Sequence, residues 1–280
     1  MENKDFARDI GNNGERLSAE AGAYSMTHHL HRYAIAAGLC NGKIVVDVAS
    51  GEGYGTHLIA QSAHHVTGID IAEMAVKHAS DKYKRKNLEF RLGSASNIPL
   101  ADSSVDIVIS FETIEHHDKH HEMLAEIKRI LKPSGLMVLS SPDKLYYTDI
   151  PNQINPFHVK ELYEEELKDL VKTYFSNMSL YGQKVVSGSL VCSLDGGPSN
   201  CRIFFGDATL VKESNHIVGS QYLICLASDV DLPTVSTSFF EGEIIDEVRR
   251  EGEAVINDLK NSVSFTIGRA ITAPLRWLRR

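Results

Sequence analysis

Apolar positions recur in two alternating rhythms between about residues 43 and 141. Lys43–Ala49 is a β-branched run and Tyr54–Ser62 is helix-like; His65–Asp70 then reads as a strand and Ala72–Tyr83 as a helix. Asn87–Leu92 and Val105–Phe111 have strand character, Asp118–Leu131 is an amphipathic helix ended by Pro133 and Gly135, and Leu136–Ser141 returns to strand. Strands alternating with helices of about ten to fifteen residues imply a parallel sheet covered on both faces. Ahead of this block, Gly11-Asn12-Asn13-Gly14 marks a loop, Ser18 caps a helix over about 19–39, and Gly42 closes the turn after it. Behind it, Val159–Tyr174 predicts a charged amphipathic helix. Met178–Val186 and His216–Ala227 are apolar stretches that add antiparallel strands to the sheet edge, with a loop at Gly196-Gly197-Pro198-Ser199-Asn200 between them. Glu241–Leu259 predicts an acidic helix, and Ser262–Arg280 carries four arginines and no acid. The organisation expected is 1–40, a loop and helix covering the ligand site; 41–232, the main domain; and 233–280, a C-terminal helix with a basic-apolar tail.

Composition narrows the class. The 280 residues are 42% hydrophobic and 24% charged, as in an ordinary globular protein. A net charge of −8 disfavours nucleic acid as a partner. No apolar run reaches the ~18 residues needed to cross a bilayer. Met1-Glu2-Asn3-Lys4-Asp5 lacks an apolar signal core, so no secretion is expected. Cys40, Cys192, Cys201 and Cys225 show no Cys-x-x-Cys spacing and read as reduced thiols of a cytoplasmic protein.

The informative chemistry lies in Val45-Val46-Asp47-Val48-Ala49-Ser50-Gly51-Glu52-Gly53-Tyr54-Gly55, a buried strand entering a glycine-rich turn and a helix. Glycines there let a ligand approach the backbone. Nicotinamide-binding proteins use a similar device. Thr56, standing where that fingerprint has its last glycine, and Asp47, whose charge would repel a pyrophosphate, both argue against a dinucleotide. Asp47 is placed instead near a cationic amino-acid moiety. Asp70 ends the second strand, where a carboxylate accepts hydrogen bonds from ribose hydroxyls.

With these residues the chain resembles the class I S-adenosylmethionine-dependent methyltransferases from Asp47 to about Pro142. The resemblance implies a Rossmann-like α/β fold: a doubly wound, mostly parallel seven-stranded sheet with an antiparallel edge strand. Three further motifs carry it: Gly93-Ser94-Ala95 after the third strand, Val105-Asp106-Ile107-Val108-Ile109-Ser110-Phe111, and Leu131-Lys132-Pro133-Ser134-Gly135-Leu136. It implies a cofactor site of Arg32, Asp47, Ala49, Gly51, Gly53, Asp70, Ile71, Ser94, Ala95 and Phe111. Two departures are Ala49, where the family often has its first glycine, and Ser94, where an acid usually meets the adenine. Gly14-Glu15-Arg16, His31-Arg32-Tyr33, Phe111-Glu112-Thr113-Ile114-Glu115-His116 and Asn155-Pro156-Phe157-His158-Val159-Lys160-Glu161-Leu162 resemble methyltransferases of bacterial surface-polysaccharide (O-antigen type) gene clusters. That likeness implies O-methylation of a sugar, glycolipid or polysaccharide end, at a hydroxyl or a phosphate. Arg32 is expected to fork onto the cofactor's methionine carboxylate.

His116 and His158 are the candidate general bases, since a hydroxyl acceptor must lose a proton. Glu112, Glu115 and His116 stand at i, i+3 and i+4; if helical they share one face, and with His158 they make a candidate site for a divalent ion such as Mg. The set resembles the Glu-x-x-Glu-His metal motif of ubiquinone-pathway and small-RNA 2′-O-methyltransferases. Competing readings are an NAD-dependent dehydrogenase or epimerase and a non-catalytic scaffold of the same fold. The tail mixes Phe265, Ile267, Ile271, Leu275, Trp277 and Leu278 with Arg269, Arg276, Arg279 and Arg280. Two readings stand for it: contact with the inner membrane face or a partner glycosyltransferase, or packing of its apolar residues on the enzyme core or on a second copy.

Overall fold

The computed structural model describes residues 17–19, 21–186, 203–206, 210–214, 217, 219–265 and 267. Gly14-Glu15-Arg16, Cys192, Cys201, the loop at 196–200 and the tail from residue 268 on therefore lie outside the described residues. Chain order is α1 (Ala23–Leu39), β1 (Ile44–Val48), α2 (Tyr54–Ile59), β2 (His65–Asp70), α3 (Glu73–Lys82), β3 (Leu88–Leu92) and β4 (Val105–Ser110), then a 3₁₀ turn at Ile114–His116. It continues with α4 (His120–Ile130), β5 (Leu131–Pro142), a π-helical turn at Leu145–Asp149, α5 (Glu164–Lys172), β6 (Asn177–Gln183), β7 (Ile203–Gly206), β8 (Val211–Ser214), β9 (Tyr222–Ser228) and α6 (Ile244–Asn261).

Seven strands form one sheet in the order β3-β2-β1-β4-β5-β9-β6, and β7 and β8 form a separate hairpin. The first five strands are mutually parallel, while β9 runs antiparallel to both β5 and β6. The expected doubly wound, mostly parallel sheet with antiparallel pairing at one side is thus the fold. Strand order reverses at β1 and β4, and the crevice beyond their carboxyl ends is where such sheets bind ligands. Both faces are covered. Met123, Leu124, Ile127, Leu167 and Val171 pack with Val46, Val108 and Leu139 on one side. Tyr33, Ala36 and Ile59 pack with Val45, Ile107, Ile109 and Val138 on the other. Cys40 and Cys225 are buried and free, and among the described residues no helix is long and apolar enough to cross a membrane.

Several elements depart from the sequence expectation: the stretch expected over His216–Ala227 is a strand only from Tyr222, and the β7–β8 hairpin is not among the elements expected. The helix expected from about residue 19 begins at Ala23, with Gly22 rather than Ser18 as its cap. The Ala23 amide donates to Glu247 Oε2 at 2.7 Å, so a carboxylate from α6 closes this helix end. The helix expected over Val159–Tyr174 is only Glu164–Lys172, because Val159 and Lys160 give their amides to the Glu115 carbonyl (2.8 and 3.1 Å) instead of to a helical turn. β5 starts five residues earlier than expected, at Leu131. Pro133 and Gly135 are absorbed in a bulge, with Val105 paired to Leu131 but Ile107 to Leu136.

Candidate active site

The glycine-rich turn is built at the end of β1. Ala49, Gly51 and Gly53 all take positive φ, at 61°, 54° and 94°. A side chain in that region costs on the order of 1 kcal/mol, which Ala49 bears. At Gly53 a Cβ would come within 2.8 Å of the Ala79 Cβ and 3.0 Å of the Phe90 ring, so close packing as well as φ demands glycine. Asp70, at the end of β2, accepts the amides of Gly51 and Ala72, each at 2.9 Å. It therefore shapes the turn it faces.

One cavity of about 1130 Å³ opens over this turn. Of the expected cofactor residues, Ala49, Gly51, Asp70, Ile71, Ser94, Ala95 and Phe111 line it, as do all four candidate chemical groups, Glu112, Glu115, His116 and His158. Arg32, Asp47 and Gly53 stand behind the lining. Asp47 is 1% exposed and accepts Thr56 Oγ1 at 2.7 Å and Tyr33 OH at 3.2 Å. Those bonds tie β1 to α2 and α1. Burial raises the Asp47 carboxyl from 3.8 to about 7, against the pull of the two hydroxyls. The native state then holds a proton that the unfolded chain has lost, so this group's contribution to stability declines as pH rises from about 4 to 7. Asp47→Asn should remove that slope, giving a melting temperature that gains on the wild type between pH 5 and 8. Parallel melting curves for the two proteins across that range would contradict the assignment.

Arg32 has a fully buried side chain. Its Nη1 donates to Glu112 Oε1 at 3.0 Å, and its guanidinium lies 5.0 Å from the centre of the Tyr222 ring. Nε and Nη2 are buried with no acceptor. Glu112 takes a left-handed φ of 48° and also accepts Ser140 Oγ at 2.7 Å. This corrects the expectation that Glu112, Glu115 and His116 share a helical face. The 3₁₀ turn spans only Ile114–His116, and Glu112 turns to Arg32 and Ser140. The four-donor metal set is reduced to Glu115, His116 and His158, whose ligand atoms lie within 4.8 Å of one another.

Glu115 is 1% exposed and neither carboxylate oxygen has a hydrogen-bond partner. Burial, and then the Glu112 charge, push its pKa well up. His116 Nδ1 faces the Phe157 carbonyl at 3.0 Å. His158 meets His116 edge to face, with ring centres 5.1 Å apart. The rest of the lining is aromatic and amide-rich, with Tyr24, Tyr147, Tyr222, Gln153, Asn155 and Gln221. His28 stacks on Tyr222 at 4.8 Å, and burial, then the Arg32 charge, lower its pKa to about 3. Sequence reasoning quoted Tyr33 and Glu161 only within motifs, without a role, and did not name Tyr147 or Tyr222. The signal present for Glu161 was its place three residues after His158.

Comparison with known proteins bears on this geometry. The methyltransferase domain family model (Methyltransf_11) matches residues 46–139. A Mycobacterium tuberculosis protein named probable S-adenosylmethionine-dependent methyltransferase is 36% identical over 222 residues, 78% of this chain and 76% of that one. A Mycolicibacterium smegmatis protein of similar name is 37% identical over 153 residues, and the chain spans only 58% of its length. The phthiotriol/phenolphthiotriol dimycocerosates methyltransferase of M. tuberculosis is 32% identical over 38% of this chain and 39% of its own. Among solved structures, a Pyrococcus horikoshii protein superposes with a TM-score of 0.57 at 18% identity, covering 80% of this chain and 98% of that one. A Thermotoga maritima S-adenosylmethionine-dependent methyltransferase does so at 0.51 and 18%, covering 73% and 90%. At such identities the structures speak for the fold alone.

Proposed function

We propose, from the premise that this chain belongs to the class I S-adenosylmethionine-dependent methyltransferases, that it O-methylates a hydroxyl of a sugar, glycolipid or polysaccharide end. The observation carrying this reading is the convergence of Glu115, His116 and His158 within 4.8 Å, on the wall of the cavity that also holds the Gly51 turn and Asp70. Methyl transfer from a sulfonium needs an aligned nucleophile and, for a hydroxyl, a group to take its proton. An imidazole beside the cofactor turn supplies the second. Asp70 would hold the cofactor's ribose hydroxyls, and the two unpartnered nitrogens of Arg32 would offer a fork for its carboxylate.

A neutral hydroxyl fits better than a phosphate. The cations such an anion needs are scarce: Lys119, beside Asp118, is the one lysine among the described lining residues, and the Arg32 charge is balanced by Glu112. Aromatic faces interleaved with amides suit a polar ring with apolar faces. The relative named for dimycocerosates supports a lipid-linked acceptor, over its 38% of the chain. The test is formation of S-adenosylhomocysteine with unmethylated glycans and glycolipids. Turnover with a hydroxyl acceptor is expected. Turnover confined to amines or phosphates would overturn the reading.

The donor set also fits a divalent ion, because Glu115 is a buried carboxylate without a partner. With Glu112 withdrawn, two imidazoles and one carboxylate suit a borderline ion such as Zn or Fe(II) better than Mg. Such an ion would lower the pKa of a bound hydroxyl itself, and a ligating His158 would then not be the proton acceptor. Exhaustive chelation should then abolish turnover, and the added ion restore it. Full activity with no metal by elemental analysis would leave the imidazoles to act alone.

Asp70→Ala should weaken S-adenosylmethionine binding by about 1.5–3 kcal/mol, the worth of a charge-assisted hydrogen bond. Because the same carboxylate holds the Gly51 amide, some stability is lost with it. Unchanged affinity in a calorimetric titration would remove Asp70 from the site.

A further inference from the structure

His158 is held from three directions. Its Nδ1 lies 2.5 Å from Glu161 Oε1, and both side chains are almost wholly buried, at 8% and 7% exposure. Glu161 Oε2 accepts Thr148 Oγ1 at 2.6 Å, which fixes the carboxylate in turn. Tyr147 stacks on the imidazole, with ring centres 5.3 Å apart and planes 24° apart. On the far side, Nε2 is 3.0 Å from Asn155 Nδ2.

That last contact decides the tautomer. The Asn155 side chain has its orientation set, because Oδ1 accepts the Phe157 amide at 3.0 Å, so the group facing His158 is the amide N–H. An amide N–H needs an acceptor, so Nε2 carries the lone pair. The ring proton is then on Nδ1, where the Glu161 carboxylate accepts it.

We propose that Glu161 is the positioning residue of a carboxylate–imidazole pair that readies His158 Nε2 as the proton acceptor for methyl transfer. The inference rests on the hydroxyl-acceptor reading above and adds to it the group that orients the base. A hydroxyl entering at Nε2 takes the place of the Asn155 amide. Its proton passes to Nε2 while the oxygen bonds to the methyl carbon, and the electron pair of the breaking C–S bond goes to sulfur. The products are a methyl ether, S-adenosylhomocysteine and an imidazolium. The Glu161 carboxylate, already at Nδ1–H, stabilises the new positive charge, as a buried carboxylate does in other imidazole-based catalysts. Thr148 and Tyr147 hold the pair rigid, so little reorganisation accompanies proton transfer.

The test uses the full chain labelled with ¹⁵N-histidine, saturated with S-adenosylhomocysteine, with the His158 signal identified by its loss in His158→Gln. Long-range ¹H–¹⁵N correlation should show His158 protonated at Nδ1 and bare at Nε2. Glu161→Gln presents an amide and should disturb that tautomer. It should lower kcat about 100-fold while KM and cofactor affinity stay within about twofold. Thr148→Val, which keeps the carboxylate but not its donor, should lose about fivefold in kcat. Finding the proton on Nε2 in the unmodified protein would overturn the proposal, as would wild-type kcat in a folded Glu161→Gln. The tautomer measurement needs no acceptor. Failure of every hydroxyl acceptor would therefore defeat the functional reading while the spectrum still decides the role of Glu161.

Discussion

Replacing His158 by Gln should lower methyl transfer about 100- to 10,000-fold while leaving cofactor affinity within about twofold. Gln keeps a hydrogen-bonding side chain of similar reach but cannot take a proton. His158 stands with Glu115 and His116 on the cavity wall, and both of its ring nitrogens are engaged in an ordered network. His116→Gln should show a smaller loss, because its Nδ1 partner is a carbonyl rather than a carboxylate. Single-turnover measurements with saturating cofactor separate chemistry from binding. Wild-type rates in both variants would end the hydroxyl-activation reading, and a loss matched by an equal loss of cofactor binding would place the residues in the cofactor site instead.

The second large effect is expected at Arg32. Arg32→Met should destabilise the fold by about 3–5 kcal/mol, because it strands Glu112 without its partner in a mostly buried site. It should also weaken cofactor binding by more than about 100-fold, since two charge-assisted hydrogen bonds from the unpartnered Nε and Nη2 are worth about 3–6 kcal/mol. Arg32→Lys separates the two losses. A lysine restores the charge opposite Glu112 and recovers part of the stability, but its ammonium cannot grip a carboxylate with two parallel bonds. Chemical unfolding and calorimetric titration of both variants read the outcomes independently. Wild-type affinity in Arg32→Lys would show that the fork is not used on the cofactor.

Much of the site was legible before any coordinate. Strands β1 to β5 and helices α2 to α4 follow from the spacing of apolar residues, because the periods of 2 and 3.6 are local properties of the backbone. The turn at Ala49 to Gly53 was legible because positive φ selects small residues, and Asp70 because it ends a buried strand. The aromatic wall was not. Tyr147 sits in a π-helical turn and Tyr222 on a strand 75 residues later, and only the sheet order β5-β9 brings them together.

What tertiary structure decided are the places where a distant partner outbid a local preference. Ser18 is a good cap by type, yet α1 begins at Ala23 because a carboxylate from Glu247, 224 residues away, reaches its amide. Val159 to Leu162 was expected to be helical but stays outside the helix, since the Glu115 carbonyl claims two of its amides. Glu112 has the right spacing for a shared helical face and points elsewhere, because a buried Arg32 offers more than a partly solvated carboxylate cluster would. Asp47 is buried and held by the hydroxyls of Tyr33 and Thr56, partners that its place in the sequence does not show. Sequence alone determined the sheet, its switch point and the types of chemical group gathered there, because these depend on backbone period and on residue type. Their pairings depended on which buried donors and acceptors found each other, and buried polar groups take the nearest partner the whole fold supplies.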